Sequence, residues 1–149
     1  MSLQDWERKG WVEKHKSSPQ EIEELFQIAD RDLKDCQARD LSDDWQLNIA
    51  YNAALQSAKA ALAAAGYRTA REAQHFRIIQ SLAFTLVLEK SLIDKLDKFR
   101  KKRNISDYER AGLVSESEVE EAISLARQLR KQVEEWLQAD YPHLLSGKK

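Results

Sequence analysis

The chain has 149 residues, of which 33% are charged, and it contains only four Gly and two Pro. This length fits one domain, and the composition favours long solvated helices over a sandwich or barrel, which needs many turns bearing Gly and Pro. The formal net charge of -1 excludes a polycation that coats nucleic acid, so any anion-binding surface must be local.

The single cysteine, Cys36, limits the chemistry of the chain. It allows neither an intrachain disulfide nor a thiolate zinc site within one chain. The N-terminus lacks the apolar core of a signal peptide, and the longest apolar stretch, Leu82 to Leu88, is too short to span a bilayer. We therefore expect a cytoplasmic protein that does not enter the membrane.

Three segments are predicted along the chain. Residues 1–17 carry Trp6 and Trp11 among charges without a sustained hydrophobic period, and they form an arm that either docks by its tryptophans or frays. A helical bundle is predicted over residues 18–139. Residues 140–149 form a C-terminal tail, because Pro142 stops the last helix.

Two capped helices open the predicted bundle. The first has Ser18 as its cap and Pro19 at its first helical position, and its apolar stripe runs through Cys36, which we expect to be a small buried hydrophobe. The second begins after Ser42 and ends at Gly66. Its many alanines predict a thin central helix against which neighbouring helices pack closely.

The second half of the bundle is less regular. Thr69 to Glu72 forms another capping box, and the helix that it opens falters at Glu89-Lys90-Ser91 before it resumes up to Arg103, which indicates one bent helix or two. An irregular stretch is predicted from Asn104 to Val114. Ser115 caps the last helix. The expected fold is an all-α, antiparallel up-and-down bundle of four long helices, one of them bent or split.

Familiar catalytic patterns are absent from the sequence. It has no glycine-rich phosphate loop, no histidines paired at helical spacing for zinc and no nucleophile elbow, so we expect neither a metal nor another cofactor. Only His75 of the three histidines falls on a patterned helix. A half-buried ring satisfied by a hydrogen bond is the favoured interpretation of this residue, ahead of a role in a site.

One segment combines cations with an amide, an acid and a phenol. The candidates for nucleic-acid binding are four consecutive cations, Arg100, Lys101, Lys102 and Arg103. A solvated helix end that complements the helix dipole explains these cations equally well. Asn104, Asp107 and Tyr108 follow, and such a set of groups beside Arg103 could hold and polarise a phosphodiester.

The region from Ser18 to about Leu137 resembles the HEPN domain, a helical bundle named for its occurrence in higher eukaryotes and prokaryotes. The resemblance rests on the alanine-rich run that closes on Gly66 and on His75 ahead of two isoleucines. It rests also on Arg103-Asn104 followed by Asp107-Tyr108, and on the final capped helix. The resemblance implies the HEPN fold.

Many HEPN proteins are metal-independent ribonucleases with the motif Arg, four to six residues, then His, and two copies of the motif meet across a homodimer. The resemblance implies four candidate catalytic residues: Arg103, Asn104, Asp107 and Tyr108. Arg103 and Asn104 match the motif, whereas Tyr108 occupies the position of the histidine. A tyrosine with a pKa near 10 exchanges protons poorly at neutral pH, so endoribonuclease activity stays open.

Two classes of function follow. The resemblance implies an RNA-acting or RNA-binding protein, the toxin half of a toxin–antitoxin or defence module whose partner is a nucleotidyltransferase. Tyr108 is then a candidate acceptor of a nucleotidyl group, because related HEPN toxins are modified on a nearby tyrosine. The alternative is a catalytically silent helical module that mediates protein contacts. A homodimer is expected, with the alanine-rich helix as a surface for close packing.

Overall fold

A 22-residue helix made largely of alanine lies at the centre of the fold. The computed structural model describes residues 1–70, 74–108 and 114–145, and of residues 104–108 the backbone alone. In chain order, the elements of this described part are α1 (Leu3–Arg8), β1 (Val12–Lys14), α2 (Pro19–Asp35), α3 (Asp43–Ala64), β2 (Tyr67–Thr69), α4 (Gln74–Gln80), α5 (Leu82–Thr85), α6 (Lys90–Tyr108), α7 (Glu116–Asp140) and a 3₁₀ helix (Pro142–Leu145).

The central helix is α3. It begins where the Ser42 hydroxyl accepts a hydrogen bond from the Trp45 amide, and it ends at Gly66, whose φ of 96° lies in the left-handed region that favours glycine. Its small side chains let α2 and α7 pack closely on it. The buried alanines are Ala50, Ala53, Ala54, Ala58, Ala60, Ala61, Ala63 and Ala64. The central position is confirmed, but this face is buried within the chain, so the expectation that it pairs two copies is wrong.

The helix α2 forms as its sequence predicts. The Ser18 hydroxyl accepts from the Glu21 amide, and Pro19 occupies the first helical position. Cys36 lies at the C-terminal cap and is fully buried, and burial raises the pKa of its thiol. The interpretation of Cys36 as a small core residue is therefore confirmed.

The N-terminal arm docks instead of fraying. Trp6 is 5% exposed and meets the ring of Phe84 edge to face, with centroids 5.1 Å apart. The strand β1 pairs antiparallel with β2, with Val12 opposite Thr69. The sequence predicts neither strand, because three-residue strands are too short for an alternating pattern to be visible.

The region between β2 and α6 is divided twice. Two short helices, α4 and α5, meet at Ser81, and a non-helical link that contains Val87 precedes α6. Val87 has a φ of 52°, which is unfavourable for a β-branched residue and interrupts the helix there. The predicted split is confirmed. The capping box predicted at Thr69 includes Arg71 and Glu72, which lie outside the described residues.

The helix α6 continues further than expected. The irregular stretch predicted from Asn104 is wrong for residues 104–108, which are helical, and residues 109–113 lie outside the described part. Asn, Ile and Ser each lower helix stability by less than about 0.7 kcal/mol relative to Ala. The favourable interaction of the four preceding cations with the negative end of the helix dipole outweighs this cost. Gly112 is the first strong helix breaker, and it comes later.

The last helix, α7, has a complete capping box between Ser115 and Glu118, and it ends at Asp140, just before Pro142. Leu144 of the following 3₁₀ helix is buried against the bundle. The all-α bundle with long packed helices is therefore confirmed. Within the described ranges, no helix combines the length and the apolar character needed to cross a membrane.

Candidate functional site

The four cations that end the side-chain-described part of α6 divide between two surfaces. Arg100 donates from Nε to Asp97 Oδ1 at 2.7 Å, and Lys101 Nζ lies 3.4 Å from Asp97 Oδ2. Lys102 Nζ lies 3.0 Å from Glu118 Oε2, which ties α6 to the start of α7. The guanidinium of Arg103 lies over the ring of Tyr51, 5.9 Å from its centroid. The basic run is therefore not one uniform patch.

Glu118 holds Lys102 on the α7 side. Partial burial alone would raise the pKa of this carboxyl, but hydrogen bonds from the Ser115 amide and from Lys102 outweigh it and lower the pKa. Lys102 therefore joins α6 to α7. Arg100 and Arg103, in contrast, face α3 and α4.

Tyr51 of α3 forms the floor beneath Arg103. The residue is 2% exposed, and its hydroxyl oxygen is buried without a hydrogen-bond partner among the described residues. Burial raises the pKa of the phenol, against the opposing effect of Arg100 and Arg103, so the hydroxyl keeps its proton. A buried hydroxyl without a partner costs free energy, and it is therefore unusual outside a functional site.

His75 of α4 stands beside Tyr51, with ring centroids 6.2 Å apart and an angle of 44° between the planes. Burial lowers the pKa of this imidazole below 6.5, and Arg103, Arg100 and Lys59 lower it further. The ring is half-buried, as expected, but it makes no hydrogen bond with any residue in the described part of the chain. Half-burial of the ring is therefore confirmed, and the hydrogen bond expected for it stays a prediction.

We call Tyr51, His75, Arg100 and Arg103, with Lys59 at its edge, the α3–α4–α6 cluster. Three helices contribute to it, and each part has a fixed position because its element is packed in the core. The cluster presents cations around a neutral imidazole and a neutral phenol. Such a set can bind an anion through Arg and Lys and hydrogen-bond it through the two neutral groups.

The remaining motif residues belong to the same helix. The backbone of Asn104, Asp107 and Tyr108 is helical, and their side chains lie outside the described residues. The backbone of Asp107 lies about one helical turn after Arg103. The turn-like arrangement expected for these residues is therefore replaced by a helix.

The tryptophans of the N-terminal arm position α4. Arg77 lies over the Trp11 ring, 3.6 Å from its centroid, and Trp6 packs under the same region. The next residue along the stack, Phe76, carries the guanidinium of Arg100 5.4 Å from its centroid. The arm thus holds the helix that carries His75 against α6. Isolated aromatic and basic residues in the sequence could not reveal this stack.

A cavity of about 430 Å³ opens next to the cluster. Lys59 and Gln74 line it, and Lys59 also acts on His75. His15 also lines it and is hydrogen-bonded through Nε2 to Glu21 at 2.8 Å. In the described ranges, no group of His, Cys, Asp and Glu is arranged to hold a metal ion.

The fold and the cluster define a helical-bundle protein with an Arg-centred polar cluster between three helices. The comparison with protein families identifies the class: residues 22–136 match the HEPN domain, and the chain belongs to this family. HEPN domains are a family of RNA-acting proteins that often occur in dimers or paired with nucleotidyltransferases. No curated protein matches the chain. No solved structure matches it either.

Proposed function

We propose that this HEPN protein binds RNA by placing a phosphodiester in the α3–α4–α6 cluster, with Arg103 as the principal phosphate ligand. The observation that carries the proposal is the convergence of Arg103 with His75 and the buried Tyr51 hydroxyl. Both neutral groups lack hydrogen-bond partners among the described residues. A bound phosphate would supply acceptor oxygens to the phenol and to a protonated or neutral imidazole.

The electrostatics support the same ligand. Arg100, Arg103 and Lys59 lower the pKa of His75 together with burial, which means that the cluster has a positive potential at the imidazole. A phosphate oxygen is stabilised by such a potential, and Arg binds it with directional hydrogen bonds. Asp97 neutralises part of this charge through Arg100 and Lys101. The chain is nearly neutral as a whole, so binding would be confined to this region.

The proposal includes a biological setting. We assign the chain to the toxin side of a toxin–antitoxin or defence module, with a nucleotidyltransferase partner and a homodimeric state, because HEPN proteins often occur in such arrangements. Tyr108 would be the acceptor of a nucleotidyl group. Incubation with the transferase and ATP, followed by mass spectrometry, should detect an added nucleotidyl group that is absent in Tyr108→Phe. Equal modification of this variant would remove Tyr108 from the role.

A second function, a catalytically silent module for protein contacts, is favoured by Tyr108 at the position of the motif histidine. The two functions differ in RNA binding. We would measure the affinity of the protein for a fluorescent single-stranded RNA by anisotropy at several salt concentrations. Arg103→Ala should weaken binding about tenfold and reduce the salt dependence by about one phosphate contact, a slope change of about 0.7.

Arg127→Ala is the matched control. This arginine is exposed on α7, lies near Cys36, and is about 13 Å along the helix from Glu118 by helical rise. Its removal should leave the affinity unchanged. Absence of RNA binding by the wild type, or equal loss in both variants, would contradict the proposal and leave the interaction module.

A further inference from the structure

The cavity next to the α3–α4–α6 cluster has a size and a lining of its own. Its volume of about 430 Å³ lies within the range of pockets that hold small organic molecules. Residues of α2, α3, α4 and both strands line it, and it shares Lys59 with the cluster. Its apolar lining includes the buried side chains of Leu62, Ala63 and Ile78. The cavity therefore offers an apolar surface to the body of a ligand.

The acidic side chains in the described lining of this cavity already have partners. Glu13 lies opposite Arg68 in the sheet register, and Arg68 Nε donates to Glu13 Oε1 at 2.5 Å. Both carboxylate oxygens of Glu21 lie within hydrogen-bond distance of His15 Nε2, at 2.8 and 2.9 Å. A cationic ligand would have to compete with one of these pairs, so the lining does not favour a cation.

Lys59 differs from these paired groups. Its ammonium makes no hydrogen bond or ion pair with any residue in the part of the chain that the structure describes. Tyr67, Thr69 and Gln74 also line the cavity, and their side chains can each donate a hydrogen bond. A cation together with several neutral donors suits the oxygens of a carboxylate or a phosphate.

We propose that this cavity binds a small organic anion, a carboxylate or phosphate monoester whose charged head pairs with Lys59 and whose apolar body packs on Leu62 and Ile78. Burial of the body against these side chains favours binding, and an aromatic body can also pack on the ring of Tyr67. The inference goes beyond RNA binding, because it concerns a different ligand in a neighbouring cavity.

Lys59 connects the cavity to His75. Burial is the main cause of the lowered pKa of this imidazole, and the charges of Arg103, Arg100 and Lys59 add to it. An anion bound to Lys59 would offset part of this positive charge and raise the pKa of His75. Occupation of the cavity should therefore be detectable at the cluster, even though the two ligands differ.

The test uses the full-length protein without RNA and a set of matched probes. Phenylpropionate and phenethyl phosphate carry an apolar body and one of the two charged heads. Phenylpropionamide has the same body with a neutral head, and acetate and inorganic phosphate are heads without a body. Calorimetry measures the affinities, and NMR follows the histidine rings. Lys59→Gln removes the charge from an exposed side chain, and Lys131→Gln, exposed on α7, is the matched control.

We expect at least one of the two phenyl acids to bind saturably and at least about tenfold more tightly than the amide, the usual contribution of a charged hydrogen bond. Acetate and inorganic phosphate should also bind at least about tenfold more weakly, because they bury no apolar body. Lys59→Gln should bind the acid no better than the amide, whereas Lys131→Gln should keep the wild-type affinity. The tighter of the two acids identifies the head group.

The three histidines locate the bound probe. His15 lines the cavity, so its ring signals should shift, and the pKa of His75 should rise. The signals of His143, on the 3₁₀ helix, should stay unchanged. In Lys59→Gln the probe should no longer raise the pKa of His75. A shift confined to His143 would place the probe elsewhere and overturn the proposal.

Three further results would overturn it: equal affinity for the acids and the amide, wild-type affinity in Lys59→Gln, and no saturable binding of either phenyl acid at millimolar concentration. The comparison of acid with amide uses the wild type, so it decides even if Lys59→Gln does not fold. Because no RNA is present, failure here leaves the proposed RNA binding intact.

Discussion

Arg130 and Arg103 both lie over aromatic rings, and their surroundings differ. Arg130 of α7 lies over Phe26 of α2, 3.9 Å from the ring centroid, and donates to Asp30 at 2.9 Å and to Glu134 at 2.6 Å. Arg103 of α6 lies 5.9 Å from the centroid of Tyr51, with the cations Arg100 and Lys59 in the same region.

The contrast separates a structural contact from a candidate binding site. At Arg130, two carboxylates neutralise the guanidinium and the ring has no polar group, and the contacts with Asp30 and Phe26 join α7 to α2. At Arg103, the ring carries a hydroxyl and the neighbouring imidazole a nitrogen, and neither has a partner in the described part. Interactions that are complete stabilise a fold. Buried polar groups without partners at a packed site require an explanation, and a bound ligand is the one that we propose.

The largest difference in stability should come from the two arginines themselves. Arg130→Ala removes a close ring contact and the ion pairs with Asp30 and Glu134, which should lower the free energy of unfolding by about 2 kcal/mol. Arg103→Ala should change it by about 0.5 kcal/mol, because its contact with the Tyr51 ring is longer. Urea unfolding followed by circular dichroism measures both. Equal losses would contradict the comparison.

Removal of the Tyr51 hydroxyl should change the free energy of unfolding in the opposite direction. Tyr51→Phe keeps the buried ring but removes a hydroxyl that has no partner among the described residues, so stability should stay constant or rise by up to about 1 kcal/mol. Affinity for RNA should fall, because the phenol no longer donates to phosphate. Tyr141→Phe, at the end of α7, serves as a control with no change in RNA binding. Destabilisation of Tyr51→Phe by more than about 1 kcal/mol would show that the hydroxyl is already satisfied.

The titration of His75 should contribute to the pH dependence of the free energy of unfolding. Its pKa is lowered in the folded chain, so between that pKa and 6.5 the unfolded chain binds more protons than the folded one. Stability should therefore be full above pH 6.5 and should decrease as the pH falls through this range. Urea unfolding at several pH values should show this decrease in the wild type and a flatter profile in His75→Gln. Identical profiles would mean that His75 titrates as in the unfolded chain.

Much of the fold can be predicted from short stretches of sequence, whereas the α3–α4–α6 cluster cannot. Ser18, Ser42 and Ser115 cap helices where the sequence predicts them, since capping depends on a few adjacent residues. The sequence does not predict the helical course of Asn104 to Tyr108, because none of these residues strongly favours or breaks a helix.

The cluster depends on contacts between helices that are distant in the sequence. The sequence around His75 does not indicate a functional site. No pattern in the sequence indicates that Tyr51 contacts both His75 and Arg103. The position of the His75 ring beside Tyr51 follows only from the packing of α4 against α3.

The smallest predicted effect separates two adjacent lysines that the sequence treats as equivalent. Lys101 is 65% exposed and shares Asp97 with Arg100 of the cluster, whereas Lys102 is held by Glu118 of α7. Lys101→Glu reverses a charge near the proposed phosphate and should weaken RNA binding about two- to fivefold, with little change in stability. Lys102→Glu places two acids together and should lower stability by about 0.5 kcal/mol while RNA affinity changes less. Anisotropy and urea unfolding on the same preparations measure both quantities. If the two variants lose RNA affinity equally, phosphate binding is spread along the end of α6, and the distinction between a completed junction and an open cluster fails at this helix.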